Sequence, residues 1–250
     1  MSPSRVFEAE KITFRYGRKV ALEQVSFDLG VGATVLLGRN GAGKSTLIAA
    51  LVGAAQPVGG RVLLDGRVVG GGSRRGRGVL RDIGWLPQSF GFPPQMSVEE
   101  FVGYAGWLKE VPRARLAGRV SETISLVGLS DKARQALGTL SGGQLRRAGL
   151  AAAVVAEPAV LVLDEPTAGL DPEQREEFHD LVRTLRTRTV VLVATHLLED
   201  VEALAQRIMV LDDGRLLWSG TPQELIELAG SESGLQGLRR GFQAVLGSAR

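Results

Sequence analysis

The chain has 250 residues, 44% of them hydrophobic and 23% charged, which is enough apolar material for a buried core and argues against wholesale disorder. Its net charge of +3 is carried mostly by arginine, since lysine occurs only at positions 11, 19, 44, 109 and 132. So small an excess does not make the concentrated basic stripe of a nucleic-acid binder. The best candidate for one, Arg74, Arg75 and Arg77 among glycines, reads as solvated arginines on a loop, so no nucleic-acid partner is expected. The longest apolar runs, Leu150 to Ala156 and Val190 to Ala194, stop at Glu157 and Thr195, too short to span a bilayer. Met1 to Glu10 carries charge and Pro3 where a secretory signal needs an apolar core, and the absence of cysteine excludes a disulfide framework. A cytoplasmic location is therefore permitted.

Alternation at Ile12 and Phe14, then at Val25, Phe27 and Leu29, predicts two half-buried strands, antiparallel and close to the N-terminus. Further on, Val35 to Leu37, Val160 to Leu163 and Val190 to Ala194 are continuous apolar runs, the pattern of parallel strands covered on both faces. Helical spacing follows over Lys44 to Val52 and over Glu173 to Arg186. Strand then helix, repeated, implies right-handed βαβ units with ligand-binding loops at the strand C-termini. Between these units, residues 96–156 contain no convincing strand, while Val98, Phe101, Val102 and Ala105 share a helical face. An inserted helical subdomain is expected there. Over 231–250, Leu235, Leu238, Phe242 and Val245 share a face interrupted by Gly234, Gly237 and Gly241, which fits either a docked helix or a frayed terminus.

Gly38-Arg39-Asn40-Gly41-Ala42-Gly43-Lys44-Ser45 matches the phosphate-loop pattern G-x-x-x-x-G-K-[ST], after an apolar strand and before a helix. The glycines let the backbone curl so that N–H groups point inward, and the helix start adds its positive dipole end. Lys44 is expected to bridge the β- and γ-phosphates, Ser45 to offer its hydroxyl to magnesium, and Thr46 to reach the α-phosphate. A second element of the same chemistry is Val160 to Leu163 followed by Asp164 and Glu165, two acids at the rim of the sheet. Asp164 suits the magnesium side, whereas Glu165, alternating away from it, is expected to orient and deprotonate an attacking water.

Leu140-Ser141-Gly142-Gly143-Gln144 is the segment that names a family. By itself Ser-x-x-Gln before a helix is a capping box, and both readings are compatible because a capped helix N-terminus is also an anion site. Trp85-Leu86-Pro87-Gln88, Gly169-Leu170-Asp171-Pro172, His196 after an apolar strand, and Tyr16 in Phe14-Arg15-Tyr16-Gly17 accompany it, each occurring once. In this order and separation the set resembles that of ABC ATPases over about residues 6 to 228.

The resemblance implies an α/β fold: a P-loop NTPase core with a mainly parallel sheet, an N-terminal antiparallel β subdomain and an inserted helical subdomain. It places the cassette at residues 5–230, the insertion at 96–156 and a tail at 231–250. It implies ATP and Mg2+ as cofactors, with Gln88 contacting magnesium and the attacking water, His196 bonding the γ-phosphate, and Tyr16 stacking on adenine. Ser141, Gly142, Gly143 and Gln144 would grip the γ-phosphate held by a second copy or a homologous cassette, with Asp171 communicating across that dimer. Membrane permease subunits on the cytoplasmic face are the implied further partners, and Phe90, Phe92, Pro93 and Pro94 form an apolar patch that fits either such a partner or internal packing. The segment Trp85 to Trp107 looks like that of export cassettes. An importer subunit, or a soluble ATPase such as one for iron–sulfur assembly, is the alternative.

Overall fold

The computed structural model describes residues 6–70, 74–228, 230 and 233–248. In chain order its elements are β1 (Phe7–Tyr16), β2 (Lys19–Leu29), β3 (Gly32–Leu37), α1 (Lys44–Leu51), β4 (Gly59–Leu64), β5 (Arg67–Val68), α2 (Arg74–Val79), β6 (Ile83–Leu86) and α3 (Val98–Leu108). There follow α4 (Arg113–Leu126), α5 (Gly142–Val154), β7 (Val160–Asp164), α6 (Pro172–Leu185), β8 (Val190–Thr195), α7 (Leu198–Leu204), β9 (Arg207–Asp212), β10 (Arg215–Gly220), α8 (Pro222–Glu227) and α9 (Gly234–Ser248). The glycine-rich stretch read as a basic loop falls partly outside the described residues, as do the side chains of Arg74, Arg75 and Arg77.

The three apolar runs become β3, β7 and β8, neighbours in a sheet ordered β10-β9-β3-β8-β7-β6. All its pairings are parallel except β9 with β10. Side chains alternate across it with period two. Val35, Leu37, Leu161, Leu163, Val191 and Val193 enter one apolar cluster, with Phe178, Val182, Val201 and Leu150 from the helices. Leu36, Val160, Val162, Val190 and Leu192 enter the other, with Leu47 and Leu51 of α1 and with Phe7, Ile12 and Leu29 of a second sheet. That second sheet, β2-β1-β4-β5, is antiparallel and begins with the two strands expected near the N-terminus. The half-buried alternation of β1 follows from having one face on this core and one in water.

Between β6 and β7 the chain is helical, with α3 packed on α4 and α5 and only an isolated bridge, Ser97 to Ala136, among the described residues. Ser97 caps α3 in a capping box with Glu100, the reciprocal arrangement that satisfies two exposed N–H groups. The parallel register sets Leu37 level with Thr195, and Asp164 level with Ala194. The C-terminal ends of β3, β8 and β7 therefore form one edge, where ligands of open α/β sheets bind.

At the C-terminus α9 is docked rather than frayed. It packs on α7 and α8 and buries Leu238, Val245 and Leu246. Its glycines explain how: a Cβ at Gly241 would overlap the Leu225 carbonyl oxygen of α8, so the two backbones meet there. In an exposed helix interior Gly→Ala gains about 1 kcal/mol. Gly241→Ala is expected to reverse that sign, with overpacking costing about 1–3 kcal/mol. Equilibrium denaturant unfolding checks it, and a stabilised variant would mean that α9 does not sit on α8.

Candidate functional site

The phosphate loop joins β3 to α1, and Gly43 before the helix has φ +105°, a conformation that L side chains rarely adopt. A Cβ there would also lie 2.9 Å from the Ala21 carbonyl oxygen. The loop and its neighbours enclose a cavity of about 290 Å³ lined by Arg39, Asn40, Gly41, Gly43, Lys44, Ser45, Thr46, Gln88, Glu165 and His196. Lys44 is buried and folded onto its own loop, donating from Nζ to the carbonyls of Gly38 at 2.7 Å and Arg39 at 3.3 Å. The same Nζ lies 3.5 Å from Glu165 Oε1.

Asp164 ends β7, but Glu165 does not continue the strand. Its φ is +45°, and of the seven non-glycine residues with positive φ among those described it alone is buried. The separation of the two carboxylates therefore comes from a left-handed turn, not from the strand alternation read from the sequence. Such a conformation costs about 1–2 kcal/mol and persists only where its surroundings hold it. Here the Glu165 N–H donates to Ala194 O at 2.8 Å, and its carboxylate meets His196 Nδ1 at 2.9 Å and Thr195 Oγ1 at 3.5 Å.

Asp164 is buried, and its Oδ1 has no hydrogen-bond partner among the described residues. Burial holds its carboxyl above the usual aspartate range, the negative charge of Glu165 adds to this, and the Ser45 hydroxyl, Lys44 and Arg146 oppose it. An unpartnered carboxylate oxygen beside a serine hydroxyl is a hard-oxygen donor set of the kind that magnesium takes.

Several expected site residues lie outside this cavity. Tyr16, at the end of β1, is 59% exposed and packs against Phe14 with ring centroids 5.2 Å apart. Ser141 caps α5 in a full capping box with Gln144, and Ser141 and Gly142 are exposed, while Gly143 is buried against Gln174 of α6. Asp171 caps α6, accepting from the Gln174 N–H at 2.9 Å. The apolar patch read after Gln88 divides between the two readings, with Pro93 and Pro94 exposed and the two phenylalanines half-buried. Phe90 stacks on Phe101 at 5.9 Å and is half-buried, as is Phe92, whereas Trp85, Tyr104, Trp107 and Leu108 provide the exposed apolar surface beside them.

Sequence reasoning missed two polar groups behind the site. Asp200 of α7, fully buried, accepts from Thr167 Oγ1 at 2.8 Å, Thr195 Oγ1 at 2.8 Å and His179 Nε2 at 2.9 Å. Arg146 of α5 is buried beneath Asp164 and Glu165. The available signal was a charged residue on an otherwise apolar helical face.

A phosphate loop, a serine and two carboxylates on one strand-end edge define a P-loop nucleotide site. The sequence profile described as ABC transporter matches residues 22–168. The chain is 39% identical over 219 residues to a Nod factor export ATP-binding protein of Burkholderia orbicola, covering 85% of this chain and 70% of that one. It is 32% identical over 233 residues to the linearmycin resistance ATP-binding protein of Bacillus subtilis, covering 92% and 74%, and 37% identical over 210 residues to a methionine import ATP-binding protein of Mesorhizobium japonicum, covering 82% and 58%. Among solved structures, cbiO1 of Clostridium perfringens, described as part of the ABC transporter complex cbiONQ, matches with a TM-score of 0.77 at 29% identity over 89% of this chain and 90% of that one. The dimeric structure of a bacterial ABC transporter cassette shares the fold, with a TM-score of 0.78 at 24% identity, covering 86% and 98%. The chain belongs to the ABC transporter family and is an ATP-binding ATPase subunit.

The state of Asp164 gives a prediction with a definite sign. Because its carboxyl is held above its unfolded value, the stability tied to the protonated group is present at low pH and lost as pH rises through the folded pKa. Asp164→Asn removes that loss. Without nucleotide at pH 7 the variant should melt above the parent, and it should gain less Tm on adding Mg-ATP. A lower Tm for the nucleotide-free variant contradicts this account.

Proposed function

We propose that this subunit hydrolyses Mg-ATP in a head-to-tail dimer, with a second copy or a homologous cassette, and drives export through membrane permease subunits at the cytoplasmic face. One observation carries the dimer. Lys44, Gln88, Glu165 and His196 converge on one cavity, while the capped N-terminus of α5, with exposed Ser141 and Gly142, lines no part of it. A helix N-terminus with free N–H groups is an anion site, and the γ-phosphate of a facing subunit is the anion that fits.

On this reading Lys44 exchanges its carbonyl partners for the β- and γ-phosphates, and the backbone of Asn40 to Lys44 cradles them. Thr46 lies within reach of the α-phosphate, and exposed Tyr16 offers a ring to adenine. Glu165, aligned by His196, accepts a proton from water attacking the γ-phosphorus, while His196 donates to the γ-phosphate and Gln88 positions the water. Ser45 and Asp164, with Gln88 alongside, would hold magnesium, which would supply neutralisation of the phosphate charge. Asp171 is exposed at the start of α6, which supports a contact with the facing subunit.

The membrane-facing partner is assigned to the surface of Trp85, Tyr104, Trp107 and Leu108, beside a cavity of about 230 Å³ lined by Pro87, Phe90, Phe101 and Ala152. Among the described residues no helix is long and apolar enough to cross a membrane, so a permease must be a separate partner or lie elsewhere. The Nod factor and linearmycin relatives favour export, and the methionine relative supports import as the second reading. Isolating the membrane complex and identifying the co-purifying chain decides between them. Recovery with soluble scaffold proteins alone would rule out both.

Two variants test the core of the proposal. Glu165→Gln is expected to lower phosphate release by about 10²- to 10⁴-fold while ATP binding persists, and to accumulate as dimer under saturating Mg-ATP in size-exclusion chromatography with light scattering. A monomer under those conditions, with the permease present, contradicts the sandwich. Trp107→Glu places a charge in the apolar surface and should lower recovery with membranes by about 10-fold, the weight of roughly 1.4 kcal/mol, without altering the hydrolysis rate of the isolated subunit. Unchanged recovery would move the permease contact elsewhere.

A further inference from the structure

Arg146 lies on α5 two residues beyond the capped Ser141 to Gln144 segment, on the buried face that also carries Gly149, Leu150 and Ala153. Its guanidinium has five N–H groups, and each has a carbonyl. Nε donates to Pro166 O at 2.9 Å, Nη1 to Pro87 O at 2.6 Å and Gln88 O at 3.0 Å, and Nη2 to Asp164 O at 2.7 Å and Glu165 O at 3.0 Å. Burial pushes its pKa down to about 10, with the charges of Asp164 and Glu165 acting in the opposite direction, so the group remains cationic at neutral pH. The three carbonyls at 164–166 bracket the left-handed residue Glu165, and the two at 87–88 belong to the segment that presents Gln88. One turn along the same face, a Cβ at Gly149 would lie 2.7 Å from the Phe90 ring, so the Phe90 side chain also packs directly on the α5 backbone.

We infer that Arg146 is a positioning residue for hydrolysis: it holds the main chain under Glu165 and Gln88 in one frame, and it ties that frame to the helix whose N-terminus bears Ser141. The inference rests on the role proposed above for Glu165. A planar fork can span two chain segments with parallel bonds, whereas a lysine ammonium is a single point and cannot. A displacement of about 1 Å at a reacting group costs about 100-fold in rate, which is the scale of effect to expect when the frame is lost.

The test compares the full chain with Arg146→Lys, Arg146→Met and Glu165→Gln, measuring ATP hydrolysis against Mg-ATP concentration, Mg-ATP affinity by calorimetry, and thermal unfolding. Arg146→Met is expected to lose about 100-fold in kcat with an unchanged Kd for Mg-ATP, and Arg146→Lys to recover part of that loss. Arg146→Lys keeps the buried charge, so it decides the matter if the methionine variant does not fold. Parental kcat in folded Arg146→Lys, a loss that only matches the fraction unfolded, or a Kd that weakens in step with kcat would each overturn the inference. Parental turnover in Glu165→Gln would instead overturn the role of Glu165, whatever the Arg146 variants do.

Discussion

Two carboxylates at the end of one buried strand repel each other and have lost most of their water, and the local structure is organised around tolerating them. Removing an ion from water costs several kcal/mol even after relaxation, which only close partners offset. Glu165 has Lys44 and His196 within 3.5 Å and 2.9 Å. Asp164 has the Ser45 hydroxyl on one side and an unpartnered oxygen on the other. The site is thus poised: one acid is neutralised within the chain and the other is left short of a cation. A cavity lined by Lys44 and bordered by an unpartnered Asp164 oxygen suits a ligand that brings anions and a hard cation together, as the proposed Mg-ATP would.

The polar layer beneath these acids explains how a strained glutamate can be kept in place. Asp200 binds Thr167, which follows Glu165 by two residues, and also Thr195, which precedes His196. Two of the chain segments that bear cavity residues, those of Glu165 and His196, are therefore pinned to one fully buried carboxylate on α7. A network of this kind is costly when partly satisfied and rigid when complete. Asp200 pins the neighbours of Glu165 and His196 in the chain without lining the cavity itself.

Much of this was legible in sequence because it depends on local pattern. Continuous apolar runs read correctly as parallel strands, since burial on both faces removes the polar alternation that half-buried strands keep. The phosphate loop was legible because its glycines and lysine are adjacent in the chain. The left-handed turn at Glu165 was not, because a glutamate gives no sign that it will adopt a conformation usually left to glycine. Asp200 and Arg146 were missed for a related reason: their partners lie up to 59 positions away, and only the tertiary fold brings them together. Whether Phe90 and Phe92 face a partner or the interior stayed open in sequence, because the pattern looks the same in both cases; in the fold they largely face each other and Phe101.

Two helix N-termini of the chain open on polar surface and do not meet. The phosphate loop ends in the N-terminus of α1, and Ser141 caps the N-terminus of α5, so two helix dipoles present their positive ends. Within one chain the first lines the nucleotide cavity and the second does not. An exposed serine followed by glycine at a helix start adds no apolar burial, and Ser141 could cap α5 equally well in a chain that never meets phosphate. What the cap reading does not supply is any reason for α5 to be tied, through Arg146 and through the contact of Gly149 with Phe90, to the backbone beneath Glu165 and Gln88. If an anion docks at the N-terminus of α5, that linkage gives the docking a physical route to Glu165, the carboxylate proposed to act in hydrolysis, because a helix pushed at its N-terminus moves as a unit and carries its guanidinium with it.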